Sequence, residues 1–206
     1  MKILVTAGAT WVRLDQVRIL TNRFSGKTGL YLAKGLKKKG HSVTLLINPH
    51  CVGEVKGIKT TYYHYFDDFK KQAIKLLKRG TYDAIVHTAA VSDYKLKKPK
   101  KGKIPSNKKS LNLKLYPAEK VIKKMRSLAK KSLLIQFKLE AQRKGLLAKA
   151  YLSLKRNKSD FVVANALVDL YSGYKGFVMS KAGQITLITS KNSLLNELNR
   201  AISHSK

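Results

Sequence analysis

The sequence predicts an α/β chain of Rossmann-like, doubly wound type. Its sheet is mainly parallel, with helices on both faces and a β-hairpin near the C-terminus. Two observations carry this. Apolar runs of strand length (KILVTA, HSVTLLIN, YDAIVHTAA, SLLIQFKLE, DFVVANAL) alternate with segments of helical period. The centres of those runs are apolar without alternation, which marks strands buried on both faces, as a parallel sheet covered by helices requires.

The elements follow in order. KILVTA (2–7) is a buried strand. SGKTGLYLAKGLKKKG (25–40) is a helix with Leu30, Leu32, Ala33 and Leu36 on its apolar face, Ser25 as a start cap and Gly40 as its end. HSVTLLIN (41–48) and IKTTYYHYF (58–66) are strands, and DDFKKQAIKLLKRG (67–80) is a helix between an aspartate and a glycine. YDAIVHTAA (82–90) is the next strand. KLKKPKKGKIPSNKK (95–109), with eight lysines, two prolines and no period, reads as a mobile loop. LNLKLYP (111–117, strand), AEKVIKKMRSLAKK (118–131, helix) and SLLIQFKLE (132–140, strand) come next. A helix from Ala141 to about Lys158, DFVVANAL (160–167, strand), a hairpin over 176–190 turning at Lys181-Ala182-Gly183, and a closing helix (192–204) complete the chain. There is no internal repeat, and one domain over 1–206 is the expectation.

The bulk properties narrow the class. No run of 18 apolar residues exists, so no membrane span is expected. The N-terminus enters a strand directly, and its apolar run is too short for a signal peptide. A single cysteine, Cys51, excludes an internal disulfide framework and fits the cytoplasm. Lys and Arg number 43 against 11 Asp and Glu, a net charge of +32. Such a field attracts nucleic acid, acidic membranes or phosphorylated small molecules. The lysines are spread over nearly every helix and the tyrosines form no stacking platform, so nucleic acid is expected to bind only nonspecifically, if at all.

In an open α/β sheet, ligands bind beyond the carboxyl ends of the strands. Those ends are TAGAT (6–10), TAAVSDY (88–94), FKLE (137–140) and VANAL (163–167), and they converge on one rim. Gly8 admits a phosphate or sugar to the backbone, or makes an ordinary turn. Without G-x-G-x-x-G there is no support for a nicotinamide or flavin dinucleotide. The run Ser25-Gly26-Lys27-Thr28 resembles the end of a Walker loop, but Thr21 stands where its first glycine belongs and the opening strand ends at Ala7. Ser25, Gly26 and Lys27 instead suit an anion held by free amides at a helix start. Arg18 and Asn22, four apart, share a side if this stretch is helical. Arg18 can pair a carboxylate or phosphate and Asn22 a carbonyl, or they are a surface arginine and a capping asparagine. Ala89 and Ala90 leave room for a flat ligand, and Asp93 either accepts from a base amino group or caps the next segment. Lys103 either folds over phosphates or is a solvated lysine like its neighbours. The histidines show no metal-ligand spacing, and no metal site is expected. Cys51 beside His50 is the one nucleophile alternative.

Taken in order, TAGAT, VRILTNRFSGKTG, TAAVSDY, GKIPS, FKLE and VVANAL resemble the phosphopantothenate–cysteine ligase family, from about Lys2 to Glu197. KIPS and FKLE look like its stand-alone forms, which lack a flavin-dependent decarboxylase. The resemblance implies two half-reactions: a nucleoside triphosphate (CTP or ATP, with Mg²⁺) activates the carboxylate of 4'-phosphopantothenate, and the amine of cysteine then forms the amide. It assigns Asn22 to the substrate carbonyl with Arg18 as its companion, and Lys103 to charge stabilisation. It puts Ser25 and Gly26 near the substrate phosphate, and Ala89, Ala90 and Asp93 at the border of substrate and nucleotide. Gly8 and Thr10 fall on the nucleotide side, and Phe137, Lys138 and Asn165 on the remaining rim. It implies a homodimer. Three departures stand out. Ala9 replaces a glycine, and its β-carbon crowds the approach to phosphate. Val12 replaces a frequent acidic residue, and Tyr116-Pro117-Ala118-Glu119 replaces a frequent N-P-D-I. Alternatives are a nucleotide-binding paralogue without ligase activity and a basic RNA-binding module.

Overall fold

In the computed structural model, residues 1–107, 109–170 and 174–205 are described. In chain order they form β1 (Lys2–Ala7), β2 (Trp11–Arg13), β3 (Ile19–Thr21), α1 (Lys27–Lys38), β4 (Ser42–Ile47), β5 (Lys59–Tyr62), α2 (Phe66–Arg79), β6 (Ala84–His87), β7 (Tyr94–Lys95) and β8 (Tyr116–Pro117). Then come α3 (Val121–Leu128), β9 (Leu133–Glu140), α4 (Leu146–Asn157), β10 (Phe161–Ala166), α5 (Leu167–Leu170), β11 (Gly176–Ser180), β12 (Ile185–Ile188) and α6 (Lys191–Ser203).

One eight-stranded sheet runs β12-β11-β10-β9-β6-β1-β4-β5. The six strands from β10 to β5 are parallel, and β11 and β12 add an antiparallel hairpin at one edge. The order reverses at β1, so helices fall on both faces, as expected for a doubly wound sheet. On one face Ile3, Val5 and Ala7 meet Leu32, Ala33 and Leu36 of α1 and Leu194, Leu198 and Ile202 of α6. On the other, Leu4, Leu46, Ile85 and Leu134 pack under Phe66, Phe69 and Ala73 of α2 and Val121 and Met125 of α3. Leu146, Ala150 and Leu154 of α4 cover the same face over β10. Among the described residues no helix is long and apolar enough to cross a membrane.

The structure corrects several boundaries. Residues 111–115 are not a strand; only Tyr116 and Pro117 pair, and with Tyr94 and Lys95 rather than with the main sheet. The alternating leucines are there, but they pair with no strand. Arg18 to Asn22 is not helical, because Ile19–Thr21 pairs antiparallel with Trp11–Arg13 in a hairpin outside the main sheet. α1 starts at Lys27 behind Gly26, so Ser25 is not its cap residue. α2 is entered from Tyr65, whose N–H is accepted by the Asp68 carboxylate (3.3 Å) one turn inside the helix. α4 begins at Leu146, because Gly145 takes φ +72° and 141–144 form only bends and a turn. The C-terminal hairpin turns where expected, with Gly183 at φ +88°.

Candidate active site

The carboxyl end of β1 continues into a turn that the neighbouring strands hold from three sides. Gly8 has φ +84°, a left-handed conformation that costs glycine little. The buried Tyr63 hydroxyl donates to the carbonyls of Ala7 (2.7 Å) and Gly8 (2.9 Å). Burial raises the Tyr63 phenol above its ordinary value, so it stays a donor. Asn48, at the end of β4, donates from Nδ2 to the Ala9 carbonyl (2.8 Å). On the other side Ala90 N–H donates to Gly8 O (3.0 Å) and Thr10 N–H to Ala90 O (3.2 Å), so Ala9 and Ala90 form a parallel bridge. Thr10 is fully buried, and its hydroxyl is shared with Ser92 (2.9 Å), whose N–H it also accepts.

α1 points its amino end at this turn. Gly26 takes φ +80°, and a β-carbon there would lie 2.6 Å from the Gly8 nitrogen, so the two glycines let the backbones touch. The helix has no side-chain cap and no acidic residue in its first turn; only Ser25 Oγ comes near, 3.4 Å from Lys27 N. The first amides of a helix have no partner within it and carry its positive dipole end.

A cavity of about 350 Å³ opens in front of these amides. Of the sequence-predicted residues it gathers Gly8, Ser25, Gly26, Lys27, Ala89, Ala90, Phe137, Lys138 and Asn165. Thr88, Tyr174 and Lys191 join them, and no described carboxylate lines the cavity. Three lysines, the amides of a helix start and small residues suit an anion on an extended ligand. Lys138 is partly engaged, its Nζ 2.7 Å from Glu140. Asn165 is committed to the following turn: it donates to Lys175 O (2.9 Å) and accepts from Tyr174 OH (3.3 Å). A second cavity of about 200 Å³ shares Phe24 and Ser25 with the first, and Ala9, Trp11, Asn22, Asn48 and His50 line it. Asn22 is exposed there, its Nδ2 donating to Ala90 O (3.3 Å).

The remaining sequence-predicted residues line neither cavity. Arg18 turns to Asp15, with Nη1 2.6 Å from Oδ2 and 3.0 Å from the Ile104 carbonyl. Asp93 is exposed and pairs with Lys120 (2.5 Å). Lys103 is exposed between Gly102 and Ile104, both tied to the β2–β3 turn. The Ile104 N–H, aided by the amides of Val17 and Arg18 and the Arg18 guanidinium, holds the Asp15 carboxyl well below the usual carboxylate range. Lys108 and the side chain of Cys51 lie outside the described residues.

Sequence reasoning missed Asp15, Asn48, Tyr63 and Ser92. The rule that names strand ends as rim applies equally to Asn48, whereas nothing local separates Tyr63 from the tyrosines beside it. A larger cavity, about 530 Å³, lies at the amino ends of β9 and β10. Arg126 and Lys181 there already pair with Asp160, and Arg200 with Glu197, and no carboxyl end of a parallel strand opens into it. Among the described residues no group of three His, Cys, Asp or Glu could hold a metal ion.

Residues 1–202 match the family described as DNA/pantothenate metabolism flavoprotein C-terminal domain. The chain belongs to that family. It is 34% identical over 172 residues to the coenzyme A biosynthesis bifunctional protein CoaBC of Thermococcus kodakarensis, covering 81% of this chain and 41% of that protein. With the Borreliella burgdorferi protein of the same name it shares 32% over 168 residues, 81% of this chain and 42% of the other. The chain thus spans about two-fifths of the length of these curated relatives. Among solved structures, the DNA/pantothenate metabolism flavoprotein from Streptococcus pneumoniae superposes with a TM-score of 0.89 at 24% identity, over all of both chains. A Cab2 mutant in complex with phosphopantothenate-cysteine superposes with a TM-score of 0.78 at 18% identity, over 99% of this chain and 87% of that one.

Proposed function

We propose that this chain joins L-cysteine to 4'-phosphopantothenate through an acyl nucleotidylate, using CTP or ATP, as a cytoplasmic enzyme of coenzyme A biosynthesis. The observation that carries the reading is the cavity before α1, with the helix-start amides, three lysines and no described carboxylate. Family membership and the names of the relatives support the substrate class, and the Cab2 complex supports phosphopantothenate-cysteine as the product.

In the first half-reaction a carboxylate oxygen of 4'-phosphopantothenate attacks the α-phosphorus of the nucleotide, the bond to the β-phosphate oxygen breaks, and pyrophosphate leaves. In the second, the amine of cysteine attacks the acyl carbon, the bond to the nucleotide phosphate breaks, and the nitrogen loses a proton to water as the nucleoside monophosphate leaves. The α1 amides with Ser25, Gly26 and Lys27 hold the phosphate of the pantothenate, the class of ligand a helix start favours. Asn22 hydrogen-bonds the acyl carbonyl and fixes it for attack. Lys103 offsets charge on the triphosphate, and Arg18, whose two side-chain bonds both leave from Nη1, turns its other nitrogens to an anion.

Ala89 and Ala90 leave room where substrate and nucleotide meet. Gly8, Ala9, Asp93, Phe137 and Lys138 border the nucleotide. Thr10 and Asn165 act through the loops they hold. Mg²⁺ arrives on the triphosphate, and the proposal gives it no protein ligands. The chain works as one domain over 1–206 and as a homodimer.

The test is product formation, read by mass spectrometry with cysteine, 4'-phosphopantothenate and each nucleotide. Wild type should form the amide, and Asn22→Ala should lose at least about a hundredfold in rate, the scale of a lost oxyanion-type donor, with an unchanged circular dichroism spectrum. Wild-type turnover in Asn22→Ala would sink the assignment of that residue.

A further inference from the structure

Asp15 sits in the turn between β2 and β3, and its side chain has no solvent exposure. Four donors meet its carboxylate. Oδ1 accepts the amides of Val17 (2.7 Å) and Arg18 (2.6 Å), and Oδ2 accepts Arg18 Nη1 (2.6 Å) and the amide of Ile104 (2.8 Å). The first three are local and close the turn. The fourth joins residues 89 apart in sequence.

Three further bonds run between the same two segments. Arg18 Nη1 donates to Ile104 O (3.0 Å), Gln16 N–H to Gly102 O (3.2 Å), and Lys100 N–H to Leu14 O (2.9 Å). The Ile104 side chain is itself buried. Residues on both sides of Lys103 are therefore tied down while Lys103 stays exposed. The segment has no helix or strand from Leu96 to Asn107, so these contacts replace regular pairing. Its lysines repel one another, and a buried carboxylate is the charge that offsets them locally. The same hairpin leads through β3 to Asn22, which reaches Ala90 on the rim. One hairpin thus carries both the rim asparagine and the anchor of the loop lysine.

We infer that Asp15 is a positioning residue: its carboxylate, shared between its own turn and the Ile104 amide, fixes the backbone beside Lys103 to the hairpin that bears Asn22. The inference rests on the proposed role of Lys103 in the activation step. A carboxylate is required because both oxygens receive N–H donors at once. An amide of the same shape offers only one acceptor atom and turns two hydrogens toward donors.

The experiment uses Asp15→Asn in the full chain. Limited trypsin digestion reads the loop directly, since Lys97, Lys100, Lys101 and Lys103 all lie in it and are exposed. Cleavage after these lysines should speed up about tenfold or more, with cleavage elsewhere and the circular dichroism spectrum unchanged. The kcat for pyrophosphate release should fall about tenfold or more, the scale of a lost charge-assisted hydrogen bond, with KM for 4'-phosphopantothenate nearly unchanged. Lys103→Ala should lose kcat without faster cleavage at the remaining lysines, which separates loss of the lysine from loss of its anchor. Unchanged cleavage, or faster cleavage with wild-type kcat, would overturn the inference. If Asp15→Asn fails to fold, Ile104→Pro removes the loop's N–H from the other end, and the same two readouts apply, with cleavage followed at Lys97, Lys100 and Lys101 because a proline blocks the site after Lys103. If wild type releases no pyrophosphate, the proposed reaction falls, while the cleavage ratio still decides whether Asp15 anchors the loop.

Discussion

Gly26 shows how a single residue ties fold to site. Its φ of +80° disfavours a side chain, and a β-carbon would press on the Gly8 nitrogen at 2.6 Å and on the Gly8 Cα at 2.8 Å. Gly26→Ala is expected to destabilise the protein by about 2 kcal/mol or more, from left-handed strain and a shifted backbone. It should also weaken binding of 4'-phosphopantothenate, because the α1 amides move away from the rim. Urea denaturation and calorimetric titration check both; an alanine variant with wild-type stability and affinity would contradict the close contact. At this scale the sequence was a partial guide. Ser25, Gly26 and Lys27 read as an anion-binding turn, and the structure puts all three on the cavity. Arg18 read as one face of a helix with Asn22, and the structure turns it to Asp15 instead. Its second partner, the Ile104 carbonyl, lies 86 residues away and leaves no local trace.

Among the elements, β6 carries a buried titratable group just before the rim. His87 stacks on Phe69 of α2, with ring centroids 6.0 Å apart, and its Nδ1 lies 2.7 Å from the Thr6 hydroxyl. Burial pushes its pKa down from 6.5 to about 4. The sign follows from the unfolded chain. As pH falls through 6.5, unfolded His87 takes a proton that the folded protein refuses until about 4, so stability is lost across that window and levels off below it. At about 1.4 kcal/mol per pH unit the loss is on the order of 3 kcal/mol. Urea denaturation of wild type against His87→Gln should show this pH dependence only in wild type, and equal slopes for both would contradict it. Strands such as β6 were legible because their apolar centres need cover on both faces. Residues 111–115 were misread because Leu111, Leu113 and Leu115 alternate as a strand would, but alternation does not supply the pairing that a strand needs, and these residues make none.

For the whole molecule, half of the exposed large apolar residues among the described ones fall on the two parts that stand outside the main sheet, and the rest are scattered over the helices and the edge strands β5 and β12. Val17, Ile19 and Leu20 belong to the β2–β3 hairpin, and Tyr94, Leu111, Leu115 and Tyr116 to the arm around β7 and β8. If the proposed homodimer forms over this arm, the second copy covers Leu111 and Leu115. Sedimentation at moderate salt, which screens the +32 charge, should report a dimer for wild type and a monomer for the double variant Leu111→Asp, Leu115→Asp. A monomeric wild type would contradict that arrangement.

The central claim is that the rim before α1 activates a phosphorylated carboxylic acid. Pyrophosphate release from the purified protein tests it most directly, with Mg²⁺ and CTP or ATP, with and without 4'-phosphopantothenate, and with cysteine omitted. The account predicts release that requires 4'-phosphopantothenate and proceeds without cysteine for about one equivalent per site, as an activated intermediate held away from water demands. No release with either nucleotide from folded protein, or release indifferent to 4'-phosphopantothenate, would contradict it.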